Sequence, residues 1–390
     1  MARALQRDRF TWLLYLLLAL YAYFLNVLGP ITPFLKDELR LSYTVSSLHF
    51  TAFALGILLI GLGGHLLIQR LGRWRSLWLG GSGMSLGVLI LLVGQSPVVT
   101  IGAAFLMGLV GSLILAIVPA ALSDQHGELR AVALSEANVI SSLTATAAPL
   151  LVGWFAHFSG DWRPALGIVA LMPIVLFLSL GRGSSSVAAS TVKAAPQTGQ
   201  SLPILFWIYW LALVLSISVE FCMISWSADY LEQVLGMVKA DAAQAVSLFL
   251  AGMILGRLIG SRLIQQLPTR SVVTVSILIA SLGFMIFWQT GAVVAGLSGL
   301  FITGLGVANL YPLILSLAMG TVNANTVQAS ARATLASGTA ILTLPLLLGW
   351  LADGVGIRLA YGIVVLLLVS VFLINQLAGR VSLDPAWSRR

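Results

Sequence analysis

The composition of this 390-residue chain excludes an ordinary water-soluble protein. Apolar residues make up 59% of the chain and charged residues 9%, whereas roughly a quarter of the residues in soluble proteins are charged. The mean hydropathy is +1.00. The net charge of +8 is spread between long apolar runs, so it indicates orientation in a membrane and not nucleic-acid binding. The single Cys222 excludes an intrachain disulfide and a cysteine-based metal site.

The apolar runs, taken in chain order, predict an all-α polytopic membrane protein with twelve transmembrane helices. A run of about 20 apolar residues spans a bilayer, and runs without alternation favour helices over barrel strands. The first run follows three arginines and contains no small-residue cleavage site, so we expect an uncleaved first span. The predicted spans are 10–35, 44–69, 76–94, 98–123, 130–157, 163–181, 203–231, 242–267, 271–289, 292–319, 327–352 and 358–379.

A polar interval at 182–202 divides the spans into six plus six. Its Ser, Ala, Gly and Thr content is typical of a flexible linker. The interval separates a six-helix bundle at 1–181 from a second at 203–390. The side that holds both termini and the linker carries 16 Lys and Arg residues, and the other side carries 5. The positive-inside rule therefore predicts cytoplasmic termini and a cytoplasmic linker, in the plasma (inner) membrane of the cell.

The two halves of the chain repeat at an offset of 196 residues. The segment Pro149–Ala156 matches Pro345–Ala352 at its proline, glycine, tryptophan and alanine positions, and Gly56 falls on Gly252. A parallel repeat of six spans predicts two bundles related by an axis along the membrane normal. Two such bundles can rock and expose a central site to each side of the membrane in turn.

The loop between spans 2 and 3 carries part of a known motif. The segment matches G-x-x-x-D-R-x-G-R-[RK] at Arg70, Gly72 and Arg73, with Gln69 at the acidic position. This loop, the six-plus-six arrangement, the linker and the repeat resemble the major facilitator superfamily. The resemblance implies the two-bundle fold of that superfamily, secondary transport, and a gating role at the bundle interface for Arg70, Gly72 and Arg73.

A narrower resemblance involves spans 7 and 8. The segments Val219–Phe221 and Gly252–Ser261 are similar to the fucose–galactose–glucose symporter branch of the superfamily. Members of that branch use embedded acids in spans 1 and 4. Here span 1 offers Asn26, and span 4 has no acid before Asp124. Proton–sugar symport by those two acids is therefore not expected.

Glu220 is the main candidate for proton coupling. It lies about 16 residues into span 7, near the middle of the bilayer, and no basic residue shares its span. Burial favours the neutral form of a carboxyl group, so such a group can carry a proton at physiological pH. The alternatives are direct substrate binding and a structural carboxyl that is protonated or bonded to a neighbour.

Arg257 lies near the centre of span 8 and stays charged there. One interpretation is that its guanidinium group binds an anionic substrate through two parallel hydrogen bonds. The other is a structural Gly–Arg pair, frequent in span 8 of this superfamily, that an acid on another helix neutralises. Glu220 is near enough along the membrane normal for direct pairing.

Glu136 in span 5 and Arg262 in span 8 lie at comparable depths. The resemblance implies that spans 5 and 8 face each other, so this pair could latch one access state. Glu136 is also the second candidate for proton coupling. Alternatively, both side chains extend to cytoplasmic water.

The resemblance also implies that spans 1, 4, 7 and 10 line the cavity. Each uncharged candidate there could instead form a hydrogen bond between helices. The predicted substrate-binding residues are Asn26, Glu220, Trp226, Arg257, Asn309 and Tyr311.

The sequence predicts a transporter and not an enzyme. It has no phosphate-binding loop, no nucleophile motif and no metal cluster, and we expect no cofactor. We predict a monomer in the lipid bilayer that moves a small polar solute by alternating access, coupled to protons. The alternatives are an exporter of amphipathic compounds and an organic-anion transporter that uses Arg257. A receptor or scaffold would need a sizeable soluble domain, and the longest polar interval is the linker.

Overall fold

The computed structural model describes residues 5–181, 202–322 and 326–383, and its regular elements are helices without any strand in these ranges. A short 3₁₀ turn at Gly127–Leu129 joins the fourth and fifth helices. The helices in chain order are α1 (Arg9–Leu39), α2 (Tyr43–Leu71), α3 (Arg73–Val93), α4 (Pro97–His126), α5 (Arg130–Ser159), α6 (Arg163–Ala170), α7 (Met172–Leu180), α8 (Ile204–Leu235), α9 (Lys239–Leu263), α10 (Thr269–Gln289), α11 (Val293–Val307), α12 (Leu310–Gly320), α13 (Thr326–Val355), α14 (Ile357–Ala360) and α15 (Ile363–Leu383).

Eleven helical stretches of the described residues are long and apolar enough to cross a membrane. The longest, Pro97–Ser159, contains 63 residues and includes α4, the 3₁₀ turn and α5. The prediction of an all-helical polytopic membrane protein is confirmed. The predicted linker lies outside the described residues, apart from Leu202.

Local chemistry explains where several helices begin and end. The Asp8 side chain accepts a hydrogen bond from the Thr11 amide at 2.8 Å and caps the start of α1. Glycines with positive φ end α5 and α8, at Gly160 (φ 71°) and Gly236 (φ 68°), because a residue without a Cβ adopts this conformation at little cost. Gly72 (φ 79°) is the one residue between α2 and α3.

The chain forms two compact units as far as it is described. The first contains Met1–Leu41 and Leu48–Lys193, and the second contains Ser42–Ser47 and Ala194–Arg390. In the first unit α1 packs along α5, and α3 packs along α4. In the second, α8 packs against α13, α15 and α12, while α11 lies against both α9 and α10.

The first turn of α2 belongs to the second unit because α13 binds it. The Asp353 carboxylate, near the end of α13, accepts hydrogen bonds from the amides of Tyr43 at 2.8 Å and Thr44 at 2.9 Å. It also accepts one from the Thr44 hydroxyl at 2.5 Å. A carboxylate supplied by another helix thus satisfies amides at the start of α2 that have no partner within their own helix.

The helix boundaries follow the 196-residue repeat. Four helices of the second half begin 196 residues after their counterparts in the first half. These pairs of first residues are Tyr43 and Lys239, Arg73 and Thr269, Pro97 and Val293, and Arg130 and Thr326.

Candidate functional site

Four helices of the second unit bring polar side chains together around Glu220. Glu220 is half-buried on α8 and interacts electrostatically with Arg257, whose side chain is exposed on α9. Tyr311 of α12 interacts electrostatically with Glu220, and its hydroxyl group is hydrogen-bonded to Ser337 of α13. An acid, a base, a phenol and a hydroxyl group therefore form one cluster. We call these four residues the Glu220 cluster.

A break in the predicted tenth span places Tyr311 in this cluster. The helix α11 ends at Val307, and α12 begins at Leu310. Pro312 is the third residue of α12 and has no N–H group, so it cannot bond to the carbonyl of Ala308 four residues earlier. The lost hydrogen bond explains why the helix is interrupted at Ala308 and Asn309.

The predicted site residue Asn309 makes a helix–helix contact. Its side chain is 9% exposed, and its Nδ2 donates to the backbone carbonyl of Gly256 on α9 at 2.8 Å. This contact corresponds to the structural alternative considered for Asn309. It also links the helix break to the residue that precedes Arg257.

Trp226 and Asn26 also direct their polar groups to the backbone. Trp226 of α8 is fully buried, and its Nε1 donates to the carbonyl of Pro345 at 3.1 Å. Asn26 of α1 lies in the first unit, and its Nδ2 donates to the carbonyl of Ala22 in the same helix at 2.8 Å. Substrate binding by these two residues stays a prediction.

Glu136 is paired with Arg7 within the first unit. The Arg7 guanidinium donates to both carboxylate oxygens, from Nε at 2.9 Å and from Nη2 at 2.6 Å. The Tyr15 hydroxyl donates to Oε2 of the same carboxylate at 3.2 Å. The predicted latch between Glu136 and Arg262 would join the two units and stays a prediction, as does proton coupling through Glu136. Arg262 is exposed on α9.

The loop motif obtains its acidic partner from another helix. Gln69 stands where the motif has an acid, but Arg73 donates from Nη1 to the Asp124 carboxylate of α4 at 2.5 Å. Gly72 provides the positive φ between α2 and α3, and Arg70 is exposed at the end of α2. The gating role of these residues stays a prediction.

Several hydrogen-bond partners of the predicted site residues have no signal in the sequence. Ser337 and Arg7 carry no motif, and the partner of Arg7 is 129 residues away in the sequence. Asp229 of α8 is fully buried, and the Tyr43 hydroxyl is hydrogen-bonded to it. Its place inside the predicted span 203–231 is the signal that could have identified it. The described residues contain no group of three or more His, Cys, Asp or Glu residues arranged to hold a metal ion.

Comparisons with known proteins agree with this architecture. An uncharacterized MFS-type transporter of Yersinia pestis is 24% identical over 373 residues, which cover 90% of this chain and 92% of that protein. The glucose/mannose transporter GlcP of Bacillus subtilis is 24% identical over 335 residues, covering 76% of this chain and 78% of that protein. These relatives are transporters and not enzymes.

The fold also matches a solved structure. A bacterial homolog of the human lysosomal transporter Spinster, in an inward-facing and occupied conformation, superposes with a TM-score of 0.82 at 16% identity. The match covers 97% of this chain and 98% of that one. The family model described as Major Facilitator Superfamily matches residues 14–334 and 227–388. The expectation from the sequence is confirmed, and the chain belongs to the Major Facilitator Superfamily.

Proposed function

We propose that the protein is a secondary active transporter that moves a small polar solute by alternating access and couples it to protons through Glu220. The observation that carries the proposal is the interaction of Glu220 with Arg257 on two helices that are apolar enough to cross a membrane. A charged side chain at the bilayer centre costs about 3 kcal/mol on insertion scales, and such residues mark ion or substrate pathways. An acid and a base together on these helices support a functional role.

Proton coupling requires a site with two states, and Glu220 and Arg257 can provide them. An ionised Glu220 attracts the Arg257 guanidinium, and a protonated Glu220 does not. Protonation therefore weakens the attraction between Glu220 and Arg257, and the solute then competes more easily for the five N–H donors of the guanidinium group. Tyr311 adds a hydroxyl group that interacts with Glu220. Proton uptake on one side of the membrane and release on the other accompany the movement of the solute in this scheme.

We propose twelve crossings, with both termini in the cytoplasm, for a monomer in the plasma (inner) membrane. The stretch Pro97–Ser159 has 63 residues, and 63 residues of helix would extend about 95 Å, roughly three times the hydrocarbon thickness. Gly127 has a φ of 52° at the end of α4, where the helix is interrupted. Both observations support two crossings within this stretch. The excess of Lys and Arg on one side supports the orientation.

A hexose is the first solute to test. GlcP, a relative at 24% identity, is named a glucose/mannose transporter. Sugar hydroxyl groups both donate and accept hydrogen bonds, and the Glu220 cluster combines a carboxylate, a guanidinium and two hydroxyl groups. This chemistry suits a small polyhydroxylated solute, as in the fucose–galactose–glucose branch that spans 7 and 8 resemble.

The test uses the full-length protein in proteoliposomes with radiolabelled glucose or mannose. We expect Glu220→Gln to abolish accumulation driven by a pH gradient and to retain exchange at equal pH, because glutamine keeps the shape and cannot cycle a proton. Glu128→Gln, at the exposed 3₁₀ turn, is the matched control and should behave as wild type. Accumulation by Glu220→Gln would show that another group couples protons. If wild type moves neither sugar, the hexose assignment is wrong.

A second candidate, an organic anion, is favoured by the exposure of Arg257. A guanidinium group binds a carboxylate through two parallel hydrogen bonds, which a lysine ammonium cannot reproduce. Arg257→Lys should then weaken binding of a carboxylate solute at least tenfold and leave the melting temperature unchanged, as measured by thermal shift. Unchanged binding together with a lower melting temperature would assign Arg257 a structural role.

A further inference from the structure

Asn309 stands at the break between α11 and α12 and does not cap the helix that it precedes. An asparagine at the N-cap position ordinarily accepts a hydrogen bond from an amide in the first helical turn. No side-chain cap bond forms at the start of α12. The Nδ2 group of Asn309 instead donates across to the Gly256 carbonyl of α9 at 2.8 Å.

The shape of α9 fits this contact. A Cβ on Gly260 would meet the Asn309 side chain, and a Cβ on Gly256 would meet the Leu305 carbonyl and the Ala308 side chain. Both glycines are buried. A slip of α9 by one residue would bring a larger side chain into this space, so packing and the hydrogen bond together specify the register between α9 and the break.

The contact lies next to the Glu220 cluster in both helices. Arg257 directly follows Gly256, and Tyr311 comes two residues after Asn309. These are the titratable groups of α9 and α12 that interact with Glu220, and α13 contributes the Ser337 hydroxyl on Tyr311. One hydrogen bond thus ties together the backbones that carry the base and the phenol.

We propose that Asn309 is a positioning residue: its bond to Gly256 fixes Arg257 and Tyr311 around Glu220, and it does not bind the solute. The inference rests on the proposed role of Glu220. Without the bond, α9 and α12 are free to shift relative to each other, and Arg257 acts on Glu220 from a longer average distance. A weaker attraction stabilises the ionised carboxylate less, so the carboxyl group binds its proton more tightly.

The experiment is an infrared pH titration of the full-length protein in liposomes. The carboxyl band that is missing in Glu220→Gln identifies Glu220. We compare the wild type with Asn309→Leu, which keeps the size and loses the donor, and with Gly256→Ala, which disturbs the same contact from α9. The matched control is Asn375→Leu, because Asn375 is also buried and donates to a side chain of another helix, Thr274, at 3.0 Å.

We expect Asn309→Leu and Gly256→Ala to raise the proton affinity of Glu220 about tenfold, a shift of one pH unit in the titration midpoint. Asn375→Leu should lower the melting temperature and leave the proton affinity of Glu220 within a factor of two of the wild-type value. The positioning role is overturned if the titration midpoint of Glu220 in Asn309→Leu and Gly256→Ala equals the midpoint in Asn375→Leu. If Glu220→Gln and the wild type show the same titrating carboxyl bands, Glu220 does not titrate, and its proposed coupling role is itself wrong.

Discussion

The two halves of the protein share their packing and differ in their chemistry. In the first half a Cβ on Gly108 would meet the Phe53 carbonyl, and 196 residues later a Cβ on Gly304 would meet the Phe249 carbonyl. The same close approach of a backbone to a glycine therefore occurs in α4 and α11. Together with the matching helix starts, this contact shows that the repeat preserves the features that pack helices.

The charged residues and the phenol of the Glu220 cluster do not follow the repeat. At an offset of 196 residues the first half has apolar side chains or glycine in place of these three residues and of Asn309, whereas Ser337 has Ser141 as its counterpart. The corresponding pairs are Phe24 and Glu220, Gly61 and Arg257, Leu113 and Asn309, and Leu115 and Tyr311. Packing therefore constrains both halves, whereas Glu220, Arg257 and Tyr311 have no polar counterparts in the first half.

The strongest test of shared packing adds a side chain at the equivalent glycines. Gly108→Val and Gly304→Val should each destabilise the protein by about 3 kcal/mol or more, because the new Cβ must displace backbone. The measurement is the yield of folded protein and its thermal unfolding in detergent. Gly102→Ala, in α4 with nothing within 4 Å of the added Cβ, is the control and should not destabilise the protein, because alanine favours a helix more than glycine does. A large loss of stability in only one of the two valine variants would contradict the conclusion that the two halves share this packing.

A second test asks whether the first half takes part in coupling. Glu136 is held by Arg7 and Tyr15, and both charged side chains are partly exposed, at 47% for Arg7 and 28% for Glu136. We expect Glu136→Gln to reduce the free energy of unfolding by about 1 kcal/mol or less, because exposed ion pairs contribute little. Proton-driven accumulation should persist. Loss of accumulation in this variant would mean that both halves carry coupling groups.

The sequence predicts the fold better than it predicts the site, and the reason is physical. Span positions follow from the composition of long apolar runs, and a charge such as Glu220 or Arg257 stands out within one. The role of Asn309 depends on the backbone carbonyl of Gly256, which no residue type marks. The partner of Glu136 is Arg7, which lies before the first span and is brought close by tertiary folding. Patterns along the chain do not specify such contacts.

The two halves also differ in how their first helices are capped, and removing the cap of α1 should change the stability only slightly. Asp8 caps α1, and its carboxylate also accepts hydrogen bonds from the Thr11 hydroxyl at 2.6 Å and from Gln125 of α4 at 2.7 Å. Its counterpart helix α8 begins after Pro203 without a side-chain cap. Asp8→Ala should therefore reduce the free energy of unfolding by about 0.5 kcal/mol at pH 7, the lower end for loss of a cap.

This contribution should depend on pH with a definite sign. Burial acts to raise the pKa of Asp8, but the hydrogen bonds from Thr11 and Gln125 outweigh it and hold that pKa below its ordinary value. A carboxyl group with a lower pKa in the folded state stabilises the protein above its unfolded pKa, about 4, and loses that effect as the pH falls through the folded value. The difference in thermal unfolding between wild type and Asp8→Ala should thus be full at pH 7 and shrink towards pH 3. A difference for Asp8→Ala that stays constant down to pH 3 would mean that the cap does not depend on the ionised carboxylate.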